Sequence, residues 1–493
     1  MGFNLLAEPW LPVTRRDGEA ETVGLRELFV RAHEFNGISE VSVTREFGCY
    51  RFLFTLLMDM YKPADKYDLE ELLEQNRFSA DAIDRYINEC QREGVSFDLF
   101  DQNRPFMQAP ANESEENENA EVSVAKLDPA KPSGNNHVHF EHQLEEEADM
   151  SYAEAARNLL AVTAFSTAGA QGYPSTVNGA PPVYVVVRGK NLFTTLVLGM
   201  MTRADFDRYD DPPPLWRWQG TITPKKEVAS TSLLMGLTFP CRRVRLKDAG
   251  NGRVRTMSYS QGMKFIGYES FQDPYVPYRI DEKDQTLKNM KPQMDRELWR
   301  DLSALVNCQN GKPGAPQVVK QAVKLLDDEA ITISAYAVAT NQGAYYDAKR
   351  EEYVFAKVLL GSQSRWEVMK NCQQYAERKG QQLRKAFTDL QRELGSDPKN
   401  SGGSIEGIKK RKTKAFFEQC YYNFMKELKP ALEQKSSPLT ELESSWKEKT
   451  LRAAVDAYES VIKEENFPAR TLVAIQKCRQ SLFDKISKKE DKA

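Results

Sequence analysis

The stretch ITISAYAVATNQG, residues 331–343, decides how the first part of the chain is expected to fold. Apolar residues fill every second position of its first nine residues: Ile331, Ile333, Ala335, Ala337 and Ala339. This period of two predicts a β-strand that ends in two amides and a glycine. Amides donate and accept hydrogen bonds without titrating, which suits reading the edges of bases better than catalysis. Asn-Gln-Gly is also a common turn sequence, so both interpretations stay open at this point.

Around this strand, the chain up to residue 360 mixes short strands with helices. Further strands are predicted at 10–13, 182–187, 237–246 and 254–259, and helices at 44–61, 69–75, 80–93, 152–165 and 192–201. No strand–helix unit repeats regularly, so the sequence favours α+β layering over a doubly wound sheet. Long proline-containing loops at 109–132 and 205–224 are of the kind that binds a partner or stays disordered.

Beyond residue 361 the spacing of apolar residues changes from two to three or four, which is typical of amphipathic helices. Four such stripes occur, at 383–394, 417–428, 451–462 and 472–486. Short connections between helices of similar length predict an antiparallel four-helix bundle. The predicted architecture is a large mixed α+β N-terminal domain at 1–360, followed by this bundle at 361–493.

Length and composition indicate a folded protein of more than one domain. A chain of 493 residues is too long for one ordinary core, and 41% of its residues are hydrophobic. No apolar run approaches the roughly 18 residues that cross a bilayer. The N-terminus has no charged region followed by an apolar core, so no secretory signal is indicated. We therefore expect a soluble cytoplasmic protein without a membrane partner.

Cysteine and histidine usage argues against several enzyme classes. The seven cysteines are scattered without a CxxC pair, so neither a zinc ribbon nor a disulfide framework is indicated. His137, His139 and His142 share one segment, which a solvated polar loop explains better than a metal site does. Nucleotide-hydrolase, zincin and serine-hydrolase motifs do not occur. We expect a protein with no catalytic residue, no bound metal and no cofactor.

The net charge of −3 hides an asymmetry along the chain. From Arg365 to the end, 27 Lys and Arg face 19 Asp and Glu, a balance of +8, so the preceding part carries −11. Much of the acidity lies in two segments, 113–118 and 145–147, that read as solvated loops. A basic C-terminal surface fits a nucleic-acid strand. An ordinary charged helical surface is the alternative.

Five short peptides occur in an order and at a spacing that resembles one known family. They are Asn4–Val13, Arg104–Gln108, Val187–Gly189, Gly262–Phe265 and Asn341–Gly343. Their order and spacing follow the family from end to end, so the resemblance covers essentially the whole chain. The chain resembles the CasA-type large subunit of the type I-E CRISPR Cascade surveillance complex. The resemblance implies a subunit that recognises the protospacer-adjacent motif in double-stranded DNA, initiates strand separation for guide-RNA pairing and recruits the helicase-nuclease.

The resemblance also implies the partners. They are the backbone, small, 5′-handle-binding and guide-processing subunits, the crRNA, target double-stranded DNA and the helicase-nuclease effector. Two other functions remain open at this point. A structural scaffold of a ribonucleoprotein would need no DNA reading. A nuclease is supported only by abundant carboxylates, whose clusters show no metal-ligand pattern.

Three elements match parts that the family uses to read DNA from the minor groove. Lys264 matches the lysine finger. Asn341 matches the polar reader and Gln342 the wedge, while Gly343 stands where the family usually has alanine. The third element is a glycine loop, which looks shorter here and contains Gly169, Gly172 and Tyr173. Glycine allows the close approach of a backbone to DNA.

Two further contacts are implied by the resemblance. Asn135, Asn136 and Phe140 lie where the family has a loop that contacts the backbone subunits and the guide RNA, with Phe140 as its aromatic anchor. The bundle is expected to contact the small subunits and to guide the displaced strand. The cations assigned to that strand are Lys409, Lys410, Arg411 and Lys412.

Overall fold

The computed structural model divides the chain into two compact units. They consist of Met1–Arg296 with Gly311–Val354, and of Glu297–Asn310 with Phe355–Ala493. The segment 297–310, assigned to the first domain from the sequence, thus belongs to the second unit. The residues that the structure describes are 2–110, 121–128, 148–169, 172–281, 284–293, 296–308, 314–327, 330–341, 344–393, 403–464 and 469–483.

The strands of the chain pair into several small sheets. They are β1 (Leu11–Arg15), β2 (Ala20–Val23), β3 (Phe35–Ile38), β4 (Glu121–Ser123), β5 (Met150–Ser151), β6 (Tyr184–Arg188), β7 (Glu227–Val228), β8 (Arg242–Asp248), β9 (Arg253–Gln261), β10 (Lys264–Phe265), β11 (Tyr278–Ile280), β12 (Leu287–Asn289), β13 (Ala330–Asn341) and β14 (Ala344–Ala356). β13 lies between β14 and β6 in one sheet, β9 pairs with β4, β5 and β8, and β7 pairs with β10.

Helices pack against these sheets in the first unit. They are α1 (Leu25–Val30), α2 (Val43–Tyr61), α3 (Lys66–Gln75), α4 (Ala80–Arg92), α5 (Tyr152–Phe165), α6 (Leu192–Gly199), α7 (Leu233–Leu237) and α9 (Gln317–Leu325). The second unit contains α8 (Leu302–Val306), α10 (Lys357–Leu360), α11 (Gln363–Glu393), α12 (Gly403–Asn423), α13 (Lys429–Leu432), α14 (Leu439–Glu464) and α15 (Ala469–Cys478). The α+β class and the helical character of the C-terminal region are confirmed.

Helix α2 forms the centre of the first unit. It begins after Ser42, whose hydroxyl accepts a hydrogen bond from the Arg45 amide and so caps the helix. Phe47 is fully buried and stacks on the Tyr184 ring of β6 at 4.2 Å, and the Tyr336 ring of β13 lies 5.5 Å away. Aromatic packing therefore fixes the sheet of β6, β13 and β14 against this helix.

The described parts of the four apolar stripes predicted beyond residue 361 fall on α11, α12, α14 and α15 and on the helical turns that follow them. Leu383, Phe387 and Cys420 are fully buried, as the helical spacing predicts. Leu472 differs, because 37% of it is exposed on α15. The antiparallel packing of four helices stays a prediction.

One predicted strand begins later than expected. The run 237–246 was predicted as extended, whereas the structure has Leu237 at the end of α7 and starts β8 at Arg242. The Ser232 hydroxyl accepts a hydrogen bond from the Met235 amide at 3.1 Å and so caps α7. Only Leu237 of the predicted strand lies on this capped helix, and residues 238–241 lie outside both α7 and β8.

Candidate nucleic-acid interface

Lys264 lies on β10 between two residues that are buried in the core. Met263 is 5% exposed and Phe265 is 1% exposed, and both belong to an apolar cluster with Phe239 and Phe271. Because side chains alternate along a strand, Lys264 points to the opposite side, where half of its side chain is exposed. The burial of its two neighbours thus fixes the direction of the lysine.

The Lys264 ammonium is paired with a carboxylate across the parallel strands β10 and β7. Its Nζ lies 2.8 Å from Glu227 Oε1, and both side chains are exposed. The hydrogen bond to Glu227 raises the pKa of Lys264, so the ammonium is charged at neutral pH. Sequence reasoning missed Glu227, because it is 37 residues away in the chain and no local spacing indicates this strand pair.

Backbone hydrogen bonds join the described residues of the glycine loop. The Gly169 amide donates to the Tyr173 carbonyl at 3.2 Å, and the Gly172 amide donates to the Gly169 carbonyl at 2.9 Å. Gly172 has a φ of +72°, in the left-handed region that favours glycine. A Cβ atom there would also lie only 3.2 Å from Lys225 Nζ. The backbone conformation therefore favours glycine at this position, whereas the exposed Lys225 side chain can move aside.

A buried arginine holds the two ends of this loop. Arg242, the first residue of β8, is 8% exposed. Its Nη2 donates to the Thr167 carbonyl at 2.6 Å, its Nη1 donates to the Pro174 carbonyl, and its Nε donates to the Tyr259 hydroxyl at 2.9 Å. Sequence reasoning missed Arg242. No local signal marks it, because β8 contains three arginines in RRVRLKD and the acceptors of Arg242 lie far away in the sequence.

Lys225 brings the glycine loop close to Lys264. Its amide donates to the Gly262 carbonyl at 2.8 Å, while its ammonium lies beside Gly172. The next residue, Lys226, accepts a hydrogen bond at its carbonyl from the Lys264 amide at 2.9 Å. Both Lys225 and Lys226 are exposed. Three exposed lysines and the glycine loop thus occupy one edge of the first unit.

The hairpin of β13 and β14 reaches the same region. Asn341 is the last residue of β13, and Gln342 and Gly343 lie outside the described residues. Just beyond them, the Tyr345 hydroxyl donates to the Phe165 carbonyl at the end of α5, where the chain enters the glycine loop. The start of β14 and the glycine loop are therefore fixed to one another.

An ion pair holds the hairpin to α2. Arg350 Nη1 lies 2.9 Å from Glu46 Oε2, and the Tyr336 hydroxyl donates to Glu46 Oε1 at 3.0 Å. The Glu46 side chain is only 2% exposed. Its burial raises its pKa, and Arg350 opposes that shift. One buried carboxylate thus contacts both strands of the hairpin.

The four cations assigned to the displaced strand do not share one face of α12. Lys410 and Arg411 are exposed, but Lys412 is only 6% exposed. Lys409 lies 2.8 Å from Glu406 on the same helix. Consecutive residues of an α-helix point about 100° apart, so four in a row must face different surroundings. Only Lys410 and Arg411 present the exposed charge that the prediction requires.

The predicted contacts to the guide RNA and backbone subunits cannot be placed. Asn135, Asn136 and Phe140 lie outside the described residues, as do the three histidines at 137, 139 and 142. Within the described part of the chain, no group of three or more His, Cys, Asp or Glu side chains could hold a metal ion. Of the described helices, none combines the length and hydropathy needed to cross a membrane.

Known proteins resemble this chain over nearly its whole length. The family model for CRISPR-associated protein Cse1 matches residues 4–457. A relative from Thermus thermophilus, described as CRISPR-associated protein CasA/Cse1, is 30% identical over 500 residues, which cover 97% of this chain and 96% of the relative.

Solved structures share the fold. Thermus thermophilus CasA (Cse1) superposes with a TM-score of 0.75 at 25% identity, covering 98% of this chain and 99% of that one. A chain of a CRISPR RNA-guided surveillance complex gives a TM-score of 0.79 at 19% identity, covering 98% of this chain and 100% of that one. Fold and sequence together define a CRISPR-associated protein. The chain belongs to the Cse1 family, of the CasA type, which confirms the resemblance noted from its peptides.

Proposed function

We propose that this chain is the large subunit of a type I-E Cascade complex, which recognises the protospacer-adjacent motif in duplex DNA without catalysing a reaction. One observation carries the proposal: Lys264, the glycine loop and the end of the β13–β14 hairpin meet at one edge of the first unit. An ammonium on a flexible stem can reach a groove acceptor or a phosphate. Backbone amides of a glycine loop can approach DNA closely. This edge therefore has groups suited to contact a DNA groove.

Strand separation would follow from the position of the hairpin. Asn341 ends β13, and Glu46 and Tyr345 hold β14 near its middle and its start. A side chain that enters a base stack must be held firmly, since unstacking costs a few kcal/mol per step. Formation of the guide–target duplex is nearly balanced in free energy, so a small contribution at the first step decides the outcome.

The partners of this proposed subunit follow from its relatives. One structural match is a chain of a CRISPR RNA-guided surveillance complex, which supports crRNA and the other Cascade subunits as partners. Target double-stranded DNA would be bound at the edge described above. We include the helicase-nuclease effector among the partners, because a subunit that recognises DNA without catalysing a reaction needs another protein to cut it.

Replacing Lys264 with alanine tests the DNA-reading edge. In the assembled complex, we expect the ratio of affinities for matched and motif-scrambled duplexes to fall by about tenfold, the effect of one or two lost base-edge hydrogen bonds. The groove acceptors depend on sequence, whereas phosphates do not. Equilibrium binding to both duplexes at several salt concentrations measures the ratio.

Lys247 provides a matched control for this experiment. It is a strand lysine with 49% of its side chain exposed, and it lies 3.1 Å from Glu121 in an exposed pair. It is near the opposite end of β8 from Arg242, so Lys247→Ala should leave the ratio unchanged. An equal loss of affinity for both duplexes in Lys264→Ala would make the lysine a phosphate contact and not a reader.

Of the four cations assigned to the displaced strand, Lys410 and Arg411 are the exposed ones. Neutralising both to glutamine should reduce the slope of log affinity against log salt by about 1.4, from about 0.7 for each lost single-strand phosphate contact. Affinity should fall equally for matched and scrambled targets, since phosphates carry no sequence information. A salt titration of the assembled complex measures the slope.

The matched control for the α12 pair replaces Lys449 and Lys477 with glutamine. Both are exposed lysines of the second unit, paired with Glu427 and Glu393. The control removes the same charge from other helices and should keep the wild-type slope. Failure of the Lys410 and Arg411 variant to assemble would instead assign this surface to a protein partner.

A further inference from the structure

Arg242 contacts the glycine loop at several points with one side chain. It joins the carbonyls of Thr167 and Pro174, the two residues between which the glycine loop runs. Its guanidinium also lies under the Tyr173 ring, 5.0 Å from the ring centre, and Tyr173 packs on Tyr259 at 5.7 Å. The loop is therefore held at both ends and at its aromatic residue by one side chain.

Within the described part of the chain, no carboxylate is paired with the Arg242 guanidinium. Among the described residues, its hydrogen-bond acceptors are three backbone carbonyls and the Tyr259 hydroxyl. A buried cation that no anion neutralises makes the surface above it electropositive, because screening by water is weak there. Arg242 can thus fix the loop and attract a phosphate backbone towards it.

The start of β14 is hydrogen-bonded close to Arg242. The Tyr345 hydroxyl binds the Phe165 carbonyl, two residues before Thr167 in the chain. Burial raises the pKa of Tyr345, and the nearby Arg242 charge acts in the opposite direction. Arg242 therefore lies beneath both elements that we assign to DNA.

We propose that Arg242 is a positioning residue that sets the geometry of the glycine loop and thereby the selectivity for the adjacent motif. The inference rests on the proposed function and assigns a determinant of selectivity to a residue that need not touch DNA. Guanidinium is a planar fork whose donors point in fixed directions, so it can hold carbonyls on both sides at once. An ammonium cannot hold the same three directions, and a site loosened by about 1 Å loses its function.

Arg242→Lys tests the inference in the assembled complex. We expect the ratio of affinities for matched and scrambled duplexes to fall by about tenfold, as for the loss of one charged hydrogen bond. Affinity for the scrambled duplex should stay unchanged, because lysine keeps the positive charge. The control is Arg245→Lys on the same strand, where Nη2 donates to the Gln102 carbonyl at 2.8 Å, away from the loop. It should keep the wild-type ratio.

Tyr259→Phe is a milder second variant, which removes one acceptor of Arg242 and keeps the ring. It should lower the ratio of affinities for matched and scrambled duplexes by a smaller factor than Arg242→Lys does. If Arg242→Lys fails to fold, the ratio measured for Tyr259→Phe tests the inference. A wild-type ratio in Arg242→Lys, or an equal loss for both duplexes, would overturn the inference while the proposed function stands. If the wild-type complex itself does not prefer the matched duplex, the proposed function fails, and this inference fails with it.

Discussion

Replacing Asp273 with alanine is expected to destabilise the folded chain by about 3–5 kcal/mol. Asp273 Oδ2 lies 2.6 Å from Arg51 Nη1, and the two side chains are 0% and 1% exposed. The same oxygen accepts a hydrogen bond from Asn178 at 2.8 Å. Without the carboxylate, the Arg51 guanidinium stays buried with no opposite charge, which costs more than the ion pair contributes. Urea unfolding followed by circular dichroism measures the difference.

Asp84 supplies the exposed counterpart of this ion pair. Its carboxylate lies 2.7 Å from Arg26, with nearly half of each side chain exposed. Asp84→Ala should be close to wild type, since solvent screens exposed pairs. The double variant Arg51→Met with Asp273→Leu should recover part of the loss, because it removes both buried charges together. Equal stabilities of Asp273→Ala and Asp84→Ala would contradict the prediction.

A second large effect is expected at Gly380 on α11. A Cβ atom at this position would lie 2.4 Å from Phe417 Cζ on α12. The ring has little room to move, because Arg300 Cζ lies 3.5 Å from its centre. Gly380→Ala should therefore destabilise the protein by about 1–3 kcal/mol through overpacking. Thermal and urea unfolding of the full chain measure the change.

Gly407 on α12 makes the matched comparison, because no atom lies within 4 Å of the Cβ that alanine would add. Alanine is the better helix former by about 0.8–1.0 kcal/mol, so Gly407→Ala should stabilise the protein. Opposite signs for the two substitutions are the expected result. If Gly380→Ala also stabilises the chain, that result would contradict the close packing of α11 against Phe417 of α12.

The elements of the fold could be predicted because their signals are local. The period of two in 331–339 gave the strand β13, and the spacings of three and four beyond residue 361 gave the C-terminal helices. The predicted start of β8 was wrong, since Leu237 ends the helix that Ser232 caps and residues 238–241 lie outside both elements. Short polar caps are easily overlooked next to long apolar runs.

The candidate site could be predicted only in part. Lys264 and the two glycines stand out through short peptides, and the structure places them at one edge. Arg242 and Tyr345 do not stand out, because their roles depend on carbonyls 75 and 180 residues away in the chain. The four cations of α12 were grouped because they are adjacent in sequence. Helical geometry separates them, and a count of about 100° per residue would have shown it.

Because Lys264 is paired with Glu227, binding of DNA at this position would be an exchange of partners. The ammonium already has a carboxylate oxygen at 2.8 Å, which DNA would have to replace if Lys264 contacts it as proposed. A phosphate offers little more than a carboxylate does, and random duplex gains little from the exchange. An acceptor held in a groove at the right depth, together with contacts from the glycine loop and the hairpin, can replace Glu227 at the lysine. Under the proposed function, Glu227 therefore competes with DNA for the ammonium, and because both side chains are about half exposed, screening by solvent keeps this competition weak.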